Sequence, residues 1–155
     1  MIEPLRMAFD VDCPAAHAFD LWTQRASSWW PAQHTVTAEQ GVQVVFEARV
    51  GGRVFERTPA GQEVDWGEIT IWDPPRRLGY RWFIRTDRAD ATDVEIRFED
   101  QGDSGTRVEI EHRGWERLGR RGPRWRTVNQ AGWNGVLPDY LRVCSRLATT
   151  ERPAG

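Results

Sequence analysis

The last long segment of the chain, from about Arg124 to Thr149, places Trp133, Val136, Leu137, Tyr140, Cys144 and Leu147 at spacings of three and four. That is the period of a single apolar helix face. The segments before it, from about Val42 to Arg113, read instead as a succession of short strands. A run of antiparallel strands must hide one face, and one amphipathic helix is the element at hand to cover it. The helix then lies across the concave side of a strongly curved sheet. Two such surfaces do not close perfectly over each other, so a gap between them is expected. The order predicts an α+β helix-grip fold, in which the sheet wraps around the long C-terminal helix.

The local signals fill in this frame. Leu5, Met7, Phe9 and Val11 alternate with Arg6, Asp10 and Asp12, the pattern of a half-buried strand. Pro14 suits the first turn of a helix, and Ala15 to Thr23 follows with Ala18, Phe19 and Trp22 on one face. A second short helical piece spans Arg25 to Trp30, ended by Pro31. Strands are expected at about Val42 to Val50 and Arg53 to Thr58, across a Gly51-Gly52 turn in which both glycines tolerate positive φ. Further strands are expected at Val64 to Trp72 and Leu78 to Arg85, on either side of Asp73-Pro74-Pro75. Thr92 to Glu99 and Thr106 to Arg113 make a hairpin. Trp115 to Pro123 reads as irregular, and Pro138 should kink or locally break the helix. The expected domain covers 1–149, with 150–155 as a frayed tail.

Composition excludes several classes of function. A length of 155 residues suits one domain. A net charge of −2 argues against a whole-surface nucleic-acid binder. No apolar run approaches the roughly 20 residues that span a bilayer, and Met1 to Arg6 lacks the layout of a signal peptide. These readings predict no membrane insertion and a cytoplasmic location. Cys13 and Cys144 are far apart, with no C-x-x-C spacing, so free buried thiols are expected. His17, His34 and His112 show no metal-ligand spacing. There is no phosphate loop and no nucleophile elbow, so no metal and no cofactor are expected.

Nine residues are tryptophan. So many in a small domain either pack an unusually aromatic core or line a hollow with flat rings. The phrases Trp29-Trp30-Pro31, Val50-Gly51-Gly52-Arg53, Trp66-Gly67-Glu68-Ile69, Asp73-Pro74-Pro75, Trp82, and Gly132-Trp133 with Val136-Leu137 and Tyr140 together resemble the START-like (SRPBCC) superfamily. Within it they are most similar to the AHSA-type branch, named for activators of a heat-shock-protein ATPase. The likeness spans nearly the whole chain in order, and it implies an apolar cavity between sheet and helix. It implies no catalytic motif, because the superfamily holds binders, cyclases and oxygenase subunits alike.

The expected function is to hold a small apolar or aromatic molecule in that cavity, as a monomer or homodimer. The expected lining is Trp30, Phe46, Phe55, Trp66, Trp82 and His112, with Trp133, Leu137 and Tyr140 from the helix. An alternative is an enzyme similar to polyketide cyclases or dehydratases, with His112 or Glu68 as acid or base. His112 alternates with Val108 and Ile110 and so points inward, either as a hydrogen-bonded core residue or as an acid–base group. Glu68 shares a face with Trp66, Thr70 and Trp72, opposite Ile69 and Ile71, and the period alone leaves its direction open. Glu56 and Arg57 raise the same question, and His34 is either at a pocket mouth or in a plain loop. A third reading, implied by the resemblance, is an interaction module with a chaperone partner; it needs an exposed patch rather than a hollow. The arginines between Arg117 and Arg126 read as a solvated loop or as a segment that binds an anion or nucleic acid.

Overall fold

Alternation in the sequence becomes alternation in burial. In β1 (Leu5–Val11), Leu5 and Val11 are buried while Arg6 and Ala8 are not so. In β6 (Thr92–Asp100) the inward set is Thr92, Val94, Ile96 and Phe98, and in β7 (Thr106–Arg113) it is Thr106, Val108, Ile110 and His112. With β2 (Gln43–Phe46), β3 (Arg53–Arg57), β4 (Glu63–Asp73) and β5 (Arg77–Trp82) these form one seven-stranded sheet in the order β1-β7-β6-β5-β4-β3-β2. The strands are antiparallel throughout, a meander from β2 to β7 that β1 extends past β7. The computed structural model describes residues 2–151.

Two helices complete the fold, α1 (Ala15–Trp22) and α2 (Gly122–Glu151). Trp133, Val136, Tyr140 and Cys144 of α2 are buried, as their spacing predicts, and Leu137 is half-buried against the same core. Burying one large apolar side chain contributes about 1.5–3 kcal/mol, so this stripe is what holds the helix on the sheet. Tyr140 also donates from its hydroxyl to the Ala18 carbonyl at 2.7 Å, tying α2 to α1. The helix runs through Pro138 without a break, contrary to expectation. Pro138 is exposed, and on a solvent-facing side the carbonyl it cannot satisfy is free to bond water. The second short helical piece is a 3-10 turn at Ala26–Ser28, and Trp115–Arg121 also forms 3-10 turns where irregular chain was expected. Most of the expected frayed tail lies outside the described residues.

Two strands end earlier than expected and β4 departs from strict alternation, each for a local reason. β2 stops at Phe46 because the Glu47 carboxylate takes the Arg53 N–H at 2.7 Å and the chain loops through Arg49 to Gly52. Only Gly51 has positive φ there (83°); at Gly52 a side chain would collide with the Glu47 and Arg49 carbonyls. β5 stops at Trp82 because Thr86 N–H bonds back to the Phe83 carbonyl, with Arg85 at φ 64°. Along β4, Gly67 faces Val54 of β3 but Asp65 faces Phe55, and the register against β5 slips again between Ile69 and Ile71. A bulge breaks strict alternation. Trp66 and Ile69 therefore both point inward, and Glu68 points outward, 3.9 Å from Arg88.

Both cysteines are buried, Cys13 at the β1–α1 corner and Cys144 on α2. A hydrogen bond with Cys13, together with burial, pushes the Cys144 thiol well above its ordinary pKa. A thiol that stays protonated is a poor nucleophile. A maleimide dye added to the native protein is therefore expected to leave both thiols unlabelled, and to label both once urea is present. Rapid labelling of the native protein would contradict this packing.

Candidate functional site

The stripe that seats α2 begins only at Trp133. In the turns before it Arg124, Thr127, Val128 and Gln130 are exposed and Trp125 and Asn129 are half-buried, so the helix stands off the sheet there. A hollow of about 110 Å³ lies in this gap. The chain after α1 supplies Trp30 and His34, the end of β5 and its turn supply Trp82, Ile84 and Arg85, and α2 supplies Trp125, Asn129, Gly132, Trp133 and Val136. The interior is mostly indole and aliphatic surface, with polar groups from His34, Arg85 and Asn129. An engineered cavity of about 150 Å³ in another protein holds benzene, so this hollow is about one ring deep, and a larger molecule would extend out of it.

The rings are held in place from behind. Trp133 Nε1 donates to His112 Nδ1 at 3.0 Å. Since Nδ1 accepts, the His112 proton sits on Nε2, which donates to Thr92 Oγ1 at 2.7 Å. Thr92 in turn reaches the Trp82 carbonyl at 3.4 Å. One buried chain of bonds thus links two walls of the hollow. Burial alone pushes the His112 pKa down from 6.5 to about 3, which keeps the ring neutral, and the two bonds fix the tautomer.

A second anchor is Glu56, a carboxylate with no solvent exposure. It accepts from Val36 N at 2.6 Å, from Thr37 N at 3.0 Å, from Thr37 Oγ1 at 2.8 Å and from Trp66 Nε1 at 2.7 Å. Burial pushes its pKa up, but these donors outweigh burial and hold it below the ordinary carboxylate value. The bonds pin the segment after His34 to the sheet. Trp66 is fully buried behind the hollow, with its ring 5.2 Å from Trp30 and 5.7 Å from Trp82. Trp30 Nε1 donates to the His34 carbonyl at 3.2 Å, which closes the turn that carries both residues.

Two glycines of α2 shape the floor for opposite reasons. At Gly135 a methyl group would overlap the His34 ring, so the helix backbone itself is the contact. At Gly132 a methyl group would meet nothing within 4 Å, because the position faces the hollow. A helix-interior glycine costs roughly 0.8–1 kcal/mol relative to alanine. At Gly132 that cost leaves open space and nothing else.

Among the residues expected at the site, Trp30, Trp82 and Trp133 meet at the hollow. Trp66 and His112 stand one layer behind it. Phe46 packs on Tyr80 in the core, 5.6 Å between ring centres, and Tyr140 and Leu137 lie further along α2. Phe55 is on the outer face, covered by the guanidinium groups of Arg53 and Arg57 at 4.0 and 5.3 Å. As candidate acid–base groups, Glu68 faces away and His112 has both ring nitrogens engaged. The bulge at Trp66 explains the first, and the Trp133 bond, which no spacing rule reports, explains the second. His34 is at the hollow. Val136 is on the expected apolar face of the helix but not in the expected lining, and Trp125, Asn129 and Gly132 are in neither, although running the helix period backward from Trp133 and Val136 reaches them. Ile84 and Arg85 had no such signal, since they depend on β5 ending at Trp82. Among the described residues no cluster of three or more His, Cys, Asp or Glu could hold a metal, and no helix is long and apolar enough to cross a membrane.

The model of the family described as activator of Hsp90 ATPase homolog 1-like protein matches residues 12–145. No curated protein matches the chain. Among solved structures, the chain is similar to an anthrahydroquino-gamma-pyrone synthase, Txn09, complexed with SUM: 33% identity over 78% of this chain and 82% of that one, TM-score 0.58. It is also similar to the self-sacrificing resistance protein CalC from Micromonospora echinospora, at 24% identity over 99% and 98% of the two chains, TM-score 0.67. Protein MLL2253 from Mesorhizobium loti matches at 17% identity over 90% and 95%, TM-score 0.65. The last two are likenesses of fold alone.

Proposed function

We propose that this chain, which belongs to the family of activator of Hsp90 ATPase homolog 1-like proteins, binds a small planar aromatic molecule in the hollow between sheet and α2. The observation that carries this reading is Gly132. Trp30, Trp82 and Trp133 offer flat apolar walls, and at Gly132, which lines the same hollow, the helix carries no side chain and leaves the space open. Flat rings against indole faces gain contact area and offset-stacking energy. The likeness to Txn09, a synthase of a polycyclic aromatic, supports the same ligand class.

A single residue tests this. Gly132→Ala is expected to stabilise the free protein by up to about 1 kcal/mol, seen as a melting temperature higher by roughly 2–4 °C. Gly132→Leu should fold but fill the hollow. Flat aromatic compounds screened by melting shift and tryptophan quenching should then act on the wild type and not on Gly132→Leu. Hits that bind both equally would place the ligand elsewhere.

A second reading, ring closure on a bound polyketide-like substrate, is favoured by the identity to a synthase. In this chain the proton-transfer group at the hollow would be His34, since His112 is engaged on both sides. His34→Gln would then abolish turnover and leave binding intact. The chaperone reading has less support. Only Val36, Val50 and Val128 are exposed large apolar residues among those described, and Val128 lines the hollow itself, which leaves little apolar surface for the patch a docking module needs.

A further inference from the structure

We infer that the ligand carries an anionic oxygen joined to its aromatic body, a carboxylate or an ionised phenol, and that Arg85 is the residue that selects for it. The inference rests on the aromatic-binding reading above and adds the ligand's charge to it. Arg85 lines the hollow and is exposed, so it stands where the hollow meets solvent. Its Nη2 donates to the Thr35 carbonyl at 2.7 Å. That bond uses one of five guanidinium donors. Among the described residues no carboxylate lies within ion-pair distance of Arg85, whereas Arg88, three residues on, is paired with Asp65. No carboxylate lines the hollow either. A permanent cation thus faces an aromatic cavity without a counter-ion, and the missing charge is one a ligand can supply.

The backbone agrees. Arg85 adopts φ 64°, a left-handed conformation that a non-glycine residue rarely takes. Such conformations persist where the surroundings impose them, and they gather at binding sites. Here the surroundings are the turn from Phe83 to Thr86 and the Thr35 carbonyl, itself beside the segment pinned by Glu56. The other polar groups of the lining do not compete for the role. Asn129 gives Nδ2 to the Trp125 carbonyl at 2.9 Å. The His34 ring lies against the α2 backbone at Gly135, and so is placed to contact the aromatic body from the side. A guanidinium fork matches the two oxygens of a carboxylate, and its charge survives any change of pH in the working range. A ring seated one layer deep among the tryptophans places a substituent oxygen at the rim, beside Arg85.

The test uses 2-naphthoate and its uncharged isostere 2-naphthamide, titrated calorimetrically into the intact protein. Wild type should bind the naphthoate about tenfold more tightly, the effect of one charge-assisted pair at a half-open rim. Arg85→Gln should bring the naphthoate down to the naphthamide value and leave the naphthamide unchanged. Arg85→Gly, which the left-handed backbone accepts without strain, should do the same and guards against a disturbed turn. Equal affinity for both probes in wild type, with both lost in Gly132→Leu, would overturn the role of Arg85 and leave the aromatic hollow standing. An equal loss of both probes on removing Arg85 would also overturn it, since stacking rather than charge would then be at work. Binding of neither probe by wild type would overturn this inference together with the reading it rests on.

Discussion

Glu56→Ala is expected to destabilise the protein by about 3–5 kcal/mol in urea unfolding, the cost of stranding several buried donors at once. The Glu56 carboxylate satisfies Val36 N, Thr37 N, Thr37 Oγ1 and Trp66 Nε1 with no solvent at hand to replace it. The loss should spread to the site. Without Glu56 the segment carrying Thr35 is no longer pinned, so the carbonyl that holds Arg85 shifts, and Trp66 loses the bond that orients it behind Trp30 and Trp82. Tryptophan emission of the folded variant should therefore differ from that of the wild type. A cost below about 1 kcal/mol would mean that water reaches these donors and that the anchor is misread.

Acid should begin to destabilise this protein well before carboxylates in general are protonated. The His112 pKa is pushed down by burial from 6.5 to about 3. Below pH 6.5 the unfolded chain takes up a proton at this residue that the native state refuses, so native stability falls by about 1.4 kcal/mol per pH unit until about pH 3. Glu56 acts in the same direction at the lower end. Its folded pKa lies below the ordinary value of 4.5, so its contribution is present above that pH and is lost as pH falls through the folded value. The urea midpoint measured from pH 8 downward should be level to about 6.5 and then decline. In His112→Phe the decline should begin only near the carboxylate range, from a lower starting stability, because Trp133 Nε1 and Thr92 lose their partner. A midpoint that stays level to pH 4 in the wild type would exclude the buried neutral imidazole.

The elements were legible in the sequence because each rests on a short-range regularity. Period two in Leu5 to Val11, Thr92 to Phe98 and Thr106 to His112, and period 3.6 from Trp133 to Cys144, follow from side-chain geometry along one strand or one helix. The antiparallel sheet, the long helix over it and a gap between the two are consequences of those faces having to be buried. The aromatic nature of the gap followed from the tryptophans, and Trp30, Trp82 and Trp133 do meet there.

What the period could not decide was every point at which the chain breaks it. The bulge in β4 turns Trp66 inward and Glu68 out. The end of β5 at Trp82 releases Ile84 and Arg85 to the hollow. The outer face near β3 buries Phe55 under arginines rather than in the core. His112 and Glu56 could be read as inward-facing polar residues, but their partners lie 21 and 20 residues away in sequence. Whether such a group is a free acid–base catalyst or a fully engaged anchor depends on which donors the fold brings within 3 Å. Local pattern governs which face a residue takes; only the assembled chain governs what it meets there, because hydrogen-bond partners of a buried group are chosen by distance in space and not along the sequence.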